Sequence, residues 1–168
     1  MATNKALIIS TASKFGLGDA GDESWCALAG NNNTSLKLWS YGENYTHVTA
    51  ATAPIKAGTS APWTHIVMTV DGTKTADGTE PGAHDALATL YVNGKKMGSG
   101  NVQNEKGQDM KTYFGVTGWS ADGYYKGLVD ELVFTNEVLT EEEAEAYYLD
   151  NIENTGNTIT GITAVSAD

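Results

Sequence analysis

Hydrophobic and polar residues alternate over short stretches along most of the chain, as they do in half-buried β-strands. In the clearest stretch, residues 125–134, Leu128, Leu132 and Phe134 share one side with Asp130. Glycine, threonine, asparagine and serine residues separate the stretches and favour turns. Short strands joined by frequent turns are typical of antiparallel β-sandwiches. The pattern therefore predicts an all-β fold.

One helix is predicted near the end of the chain, from Thr140 to about Asp150. Thr140 and Glu143 match the T-x-x-E capping box that opens helices. Residues 71–84 are polar and rich in glycine, which indicates a long hairpin connection. Strands are predicted at 6–10, 24–29, 34–41 and 45–51, from Trp63 onward, and at 86–93, 95–99, 110–117 and 125–134.

Asp130 lies on the apolar side of the stretch 125–134 and is expected to face the core. A buried carboxylate is costly unless it is paired, binds a metal or accepts hydrogen bonds. Two interpretations stay open: Asp130 accepts hydrogen bonds from backbone amides, or it binds a metal ion. Its neighbour Glu131 points to the opposite side, so the two acids cannot form the carboxylate pair of a glycosidase. The sequence contains no serine-nucleophile, zinc or phosphate-loop motif, and we predict that the protein is not an enzyme.

The chain is strongly acidic, with 21 acidic and 10 basic residues among 168 and a net charge of −11. Such a chain repels nucleic acids and anionic membranes, so neither is an expected partner. All ten basic residues are lysines, and without arginine a sulfated or sialylated glycan is a poor ligand. The length suits one domain. Cys26 is the only cysteine and is expected to be a core residue.

Two sequence blocks resemble the laminin-G-like, concanavalin-A-type domains. The segment Trp63-Thr64-His65 to Asp71-Gly72, followed by Leu90-Tyr91-Val92-Asn93-Gly94, is similar to the central strands of that family. The segment from Gly127 to Glu143, with Leu-Val-Asp-Glu-Leu and Leu-Thr-x-x-Glu, is similar to its closing signature. The resemblance implies an antiparallel two-sheet jelly-roll sandwich with one short C-terminal helix. It also implies that Trp63 is a core residue. His65 is expected on a strand face as a structural histidine with satisfied hydrogen bonds.

The same resemblance implies carbohydrate binding or adhesion outside the cell. Calcium often lies at the rim of such sandwiches and takes oxygen ligands. Asp130 matches the acid of the family signature, so it is the candidate metal ligand. Calcium is the only cofactor that the resemblance suggests.

Aromatic side chains are the candidate glycan-binding groups, because their faces stack on the C–H surfaces of sugars. Trp39 and Tyr41 alternate with the apolar residues of their strand and would form an exposed row. Trp119, with Asp122 and Tyr124, lies in a turn-rich connection where a tryptophan has less reason to be buried. In the alternative, Trp39 packs beneath a loop and Trp119 folds back onto the end of the sandwich.

We expect one sandwich domain over residues 1–156. Residues 157–168 alternate again, and they form either a terminal strand or the start of a linker or next module. The related domains usually have an opening strand or two before the counterpart of Ala6–Ile9. Here those strands are lacking, lie upstream of the given chain, or come from another chain. If they are absent, the sheet has an exposed edge that can pair with a partner.

The sequence thus predicts a noncatalytic carbohydrate-binding module of a secreted or surface protein, located outside the cell or at its surface. Its expected partners are neutral oligo- or polysaccharides and neighbouring modules of the same polypeptide. The alternative is an adhesion or structural module that binds protein, such as a surface-layer or virion component.

Overall fold

The structure, a computed structural model, describes residues 5–12, 24–31, 35–41, 48–50, 63–82, 85–103, 111–115, 123–125 and 128–154. These residues form short strands and one helix, which confirms the all-β prediction. Within them, no helix is long and apolar enough to cross a membrane. The elements are β1 (Lys5–Ala12), β2 (Ser24–Asn31), β3 (Ser35–Tyr41), β4 (Val48–Ala50), β5 (Ile66–Asp71), β6 (Asp85–Val92), β7 (Lys95–Gln103), β8 (Lys111–Phe114), β9 (Gly123–Tyr124) and α1 (Glu141–Asn154).

The strands form two sheets. The first has the order β4-β3-β2-β1-β8, with the short β9 beside β1 in parallel, and the second has the order β5-β6-β7. All other pairs are antiparallel. The first described strand, β1, pairs with β2 and also with β8 and β9. β1 is therefore an inner strand, and along the described order the first sheet ends at β4 and β8.

The core lies between the two sheets, where β7 contacts β2, β3 and β4, and β6 contacts β4. One face of β6 supplies Ala86, Ala88, Leu90 and Val92, all buried, and β7 adds Val102. These positions are two apart, as expected for one face of a strand. Burying a leucine such as Leu90 contributes roughly 1.5–3 kcal/mol. The other face of β6 points away from this core.

The turn between β6 and β7 joins the helix to the sheet. Asn93 and Gly94 have φ values of 50° and 76°, as a two-residue Asn-Gly hairpin turn requires. The Asn93 backbone N–H donates to the His65 carbonyl (2.9 Å), and its side chain accepts from the His65 N–H (3.0 Å). Helix α1 packs against Gly94 so closely that a Cβ atom there would lie 2.9 Å from the Glu145 Cα.

The predicted capping box is present. The Glu143 carboxylate accepts from the Thr140 N–H at 2.7 Å, and the Thr140 hydroxyl accepts from the Glu143 N–H at 3.2 Å. The hydrogen bonds to Thr140, backbone first, hold the pKa of Glu143 below its usual value. Helix α1 begins at Glu141 and ends at Asn154, somewhat beyond the predicted end.

The predicted strand 125–134 is wrong for the described residues 128–134. They belong to no strand, and Leu128, Leu132 and Phe134 are more than half exposed. Asp130 is exposed too, so the expected burial of its carboxylate is also wrong. Glu131 has a φ of 50° and donates its N–H to the Asp130 carboxylate at 3.0 Å. This left-handed residue interrupts the alternation on which the prediction depended.

Trp63 and His65 lie just before β5, and the structure shows how far each side chain is buried. Trp63 is 48% exposed, so its assignment to the core is wrong. His65 is half-buried, and its ring lies 5.9 Å from the ring of Tyr148 in α1. Its Nδ1 is buried without a hydrogen-bond partner, so the expectation of a satisfied histidine is wrong. Burial lowers the pKa of His65.

Candidate functional site

A pocket of about 280 Å³ lies on the face of the second sheet that points away from the core. We call it the outer-face pocket. The register places Thr69 opposite Thr89 and Asp71 opposite Leu87, so these side chains share that face. The lining residues come from all three strands, from the loop after β5 and from the segment before α1. They are Thr69, Asp71, Lys74, Leu87, Thr89, Tyr91, Lys96, Val138, Leu139 and Thr140.

Two threonines, opposite each other on β5 and β6, line the outer-face pocket. Thr69 and Thr89 are each 6% exposed. Neither hydroxyl has a hydrogen-bond partner among the described residues. Although the two residues are largely buried, neither hydroxyl oxygen is cut off from solvent, so both are reached from the pocket. The pair is therefore available to bond a polar ligand, as donor or acceptor.

Asp71 ends β5 and supplies a fixed negative charge next to these hydroxyls. Its Oδ1 accepts from the Thr73 hydroxyl (2.6 Å) and the Thr73 N–H (2.9 Å), and its Oδ2 lies 2.9 Å from Lys74 Nζ. The Thr73 hydroxyl, then Lys74 and the Thr73 amide, lower the pKa of Asp71 to about 2. Asp71 is thus an ionised acceptor at neutral pH, held in one orientation.

The loop after β5 repeats this arrangement. The sequence Asp-Gly-Thr occurs at 71–73 and again at 77–79. Asp77 accepts from the Thr79 hydroxyl at 2.8 Å and from its N–H at 3.1 Å, and the Thr75 hydroxyl also donates to Asp77 at 2.9 Å. The Ala76 N–H donates to Asn101 of β7 at 2.6 Å, which fixes the loop on the sheet. The loop after β5 therefore forms an ordered wall on one side of the outer-face pocket.

Tyr91 and Lys96 connect the sheet to the opposite wall of the pocket. The Tyr91 hydroxyl donates to the Leu139 carbonyl at 3.4 Å, and the Lys96 N–H donates to the Glu141 carboxylate at 3.2 Å. Burial raises the pKa of Tyr91, and Glu141 and Glu142 raise it further. The phenol stays protonated and remains a donor. Lys96 is exposed at the rim.

The outer-face pocket has the groups of a polar binding site. It offers hydroxyls, a fixed carboxylate, a phenol and lysine ammonium groups at one place. Asp71 is the only carboxylate among its lining residues, and none of them is histidine or cysteine. A glycosidase needs two carboxylates, and a nucleophilic centre needs an adjacent base. The arrangement is suited to binding a small group rich in hydroxyls.

Comparison with known families then identifies the fold. Residues 2–145 match the laminin G family model described as the Concanavalin A-like lectin/glucanases superfamily. The chain belongs to this family. The match confirms the resemblance seen in the two sequence blocks, and with it the jelly-roll sandwich. No curated protein and no solved structure is significantly similar to the chain.

Membership of the concanavalin A-like family indicates a binding module in general, for carbohydrate or for protein. The sequence-predicted site residues of this module lie away from the outer-face pocket or outside the described part. Trp39 and Tyr41 are in β3 and Tyr124 is in β9, both strands of the first sheet. Trp119 and Asp122 lie outside the described residues. The proposed aromatic site therefore stays a prediction.

Asp130 is the predicted metal ligand of this concanavalin A-like domain. Among the described residues, no group of three or more histidine, cysteine or acidic side chains could hold a metal ion. The calcium prediction stays a prediction. Sequence reasoning missed the pocket, although a signal existed. Thr69 and Thr89 occupy polar positions in strands that resemble a paired block of the family, so they share a face once the register is known.

Proposed function

We propose that this domain is a noncatalytic carbohydrate-binding module of a secreted or surface protein and that the outer-face pocket binds one unit of a neutral glycan. The observation that supports this most is the pair of unpartnered hydroxyls, Thr69 and Thr89, beside the ionised Asp71. Sugar hydroxyls both donate and accept, so one sugar ring can bond the threonines and donate to the carboxylate.

The size and charge of the site fit a single neutral sugar. The pocket, at about 280 Å³, is slightly smaller than the roughly 300–1,000 Å³ of most small-molecule sites. A longer chain would extend past the rim at Lys96. The net charge of −11 disfavours a polyanionic glycan.

The aromatic residues and calcium are further parts of the proposal. Trp39, Tyr41, Trp119 and Tyr124 would stack on neutral sugar units, with Asp122 bonding their hydroxyls. Calcium would bind near Asp130. Both follow from the sequence and the family resemblance, whereas the outer-face pocket follows from geometry.

Replacing Thr69 or Thr89 with valine is expected to weaken sugar binding without lowering stability. Each change replaces the hydroxyl with a methyl group of about the same volume. The lost hydrogen bond to the sugar contributes about 0.5–1.5 kcal/mol, which corresponds to roughly a 2- to 12-fold change in Kd. Because these hydroxyls make no hydrogen bond to other described residues in the free domain, Tm should stay about constant. A glycan array identifies the sugar, and titration calorimetry and thermal unfolding then measure the variants.

The control is Thr135→Val, the same change at an exposed site outside the pocket. It should leave the Kd unchanged. Trp119→Ala and Trp39→Ala on the same array test the aromatic site separately. If the array shows no binding, the proposed function is wrong. If binding is lost only in the tryptophan variants, carbohydrate binding stands and the outer-face pocket is not its site.

A further inference from the structure

Residues 128–134, which we call the apolar segment, expose large hydrophobic side chains outside the pocket. Leu128, Val133 and Phe134 are 69%, 64% and 67% exposed, and Val129 and Leu132 are about half exposed. Phe134 also contacts Phe114, with ring centroids 6.1 Å apart and an edge-to-face angle of 72°. Phe114 itself is 47% exposed. Contiguous exposed apolar groups of this kind mark interaction sites.

The backbone of the apolar segment is available for pairing. Among the described residues, its amides and carbonyls join no strand ladder. The Leu128 carbonyl accepts from the Tyr125 hydroxyl at 3.5 Å, and the Glu131 N–H donates to Asp130. Unpaired backbone next to apolar side chains is what a partner strand requires in β-strand addition.

The acidic residues in and around the apolar segment determine which kind of partner would bind. From residue 127 to the end, the chain has ten acidic residues and no lysine, arginine or histidine. Asp130 and Glu131 lie within the apolar segment, and Glu137 follows it. A second copy that presented the same segment would place like charges opposite each other, which is unfavourable. A partner with basic residues beside its apolar ones would instead be attracted.

We infer that the apolar segment is a docking site for a β-strand of another protein, one in which apolar residues alternate with lysine or arginine. Pairing along the whole segment requires Glu131 to leave its left-handed conformation. The first contacts therefore form at residues 132–134. This site uses neither the strands nor the side chains of the outer-face pocket, so it does not depend on that pocket.

The test uses a short labelled peptide in which valine alternates with lysine, and a matched peptide with glutamate in place of lysine. Fluorescence anisotropy should show binding of the lysine peptide only, with an affinity that falls as salt is raised. Leu132→Ser should weaken that binding at least five-fold. The control is Leu149→Ser in α1, because Leu132 and Leu149 are both 52% exposed and the substitution is the same. It should leave the affinity unchanged.

Hydrogen exchange of the amides at 129–134 completes the test. They should exchange rapidly in the free protein and slow when the lysine peptide binds. Three results would overturn the inference: no binding of the lysine peptide, equal loss in both serine variants, or slow exchange of these amides in the free monomer. If the amides exchange slowly only when sedimentation shows twice the mass of the monomer, the segment binds a second copy of the protein instead.

Discussion

Replacing Gly94 with alanine is expected to lower the free energy of unfolding by about 3 kcal/mol. Two effects add. A non-glycine residue at a φ of 76° is strained by roughly 1–2 kcal/mol. The new methyl group would also lie 2.9 Å from the Glu145 Cα and 3.3 Å from the Tyr148 Cβ, and such overpacking costs about 1–3 kcal/mol. Urea unfolding followed by circular dichroism measures the change.

Gly78 provides the matched control. Its φ of 77° is nearly the same, but a Cβ atom there meets nothing within 4 Å. Gly78→Ala should therefore show the backbone strain alone, roughly 1–2 kcal/mol. Equal losses in the two variants would mean that α1 does not pack on the β6–β7 turn as described.

Asp71→Asn is expected to lower stability at neutral pH by about 1.5 kcal/mol. The lowering of the Asp71 pKa from 3.8 to about 2 corresponds to about 2 kcal/mol in favour of the ionised, folded form. Part of this comes from Lys74, whose side chain is 66% exposed and screened by solvent, so we expect less than the full value. Denaturant unfolding at several pH values measures the difference.

The stability difference between the natural protein and Asp71→Asn should depend on pH. Because the pKa of Asp71 is lower in the folded protein, its stabilisation is present above pH 3.8 and is lost as pH falls toward 2. The gap between the natural protein and Asp71→Asn should therefore close between about pH 4 and 2. Asp77→Asn, which changes the same motif in the exposed loop, should cost less. A gap that persisted at pH 2 would show that lost packing, rather than the charge of Asp71, caused the difference.

Local features of this fold could be predicted from the sequence. The Thr140–Glu143 capping box depends on residues three apart, and it forms as predicted. The strands predicted at 86–93 and 95–99 are also present, as β6 and β7. In each case neighbours along the chain determine the geometry.

Features that depend on distant contacts could not be predicted in this way. Alternation in residues 128–134 indicated which side chains share a side, yet it could not reveal the left-handed Glu131. The outer-face pocket joins three strands, a loop and the segment before α1. Its parts are polar residues that look unremarkable one at a time. Only the register of β5 against β6 brings Thr69 and Thr89 together.

The position of β1 has a consequence for synthesis on the ribosome. Its partner β2 follows soon after it, but its other antiparallel partner, β8, is translated about a hundred residues later. At a translation rate of about 5–20 residues per second, the β1–β2 hairpin waits on the order of ten seconds for β8. Throughout that interval the nascent chain presents an open strand edge of the kind that promotes aggregation. Folding of the first sheet is therefore completed late, at β1, which precedes the other described strands of that sheet in the chain.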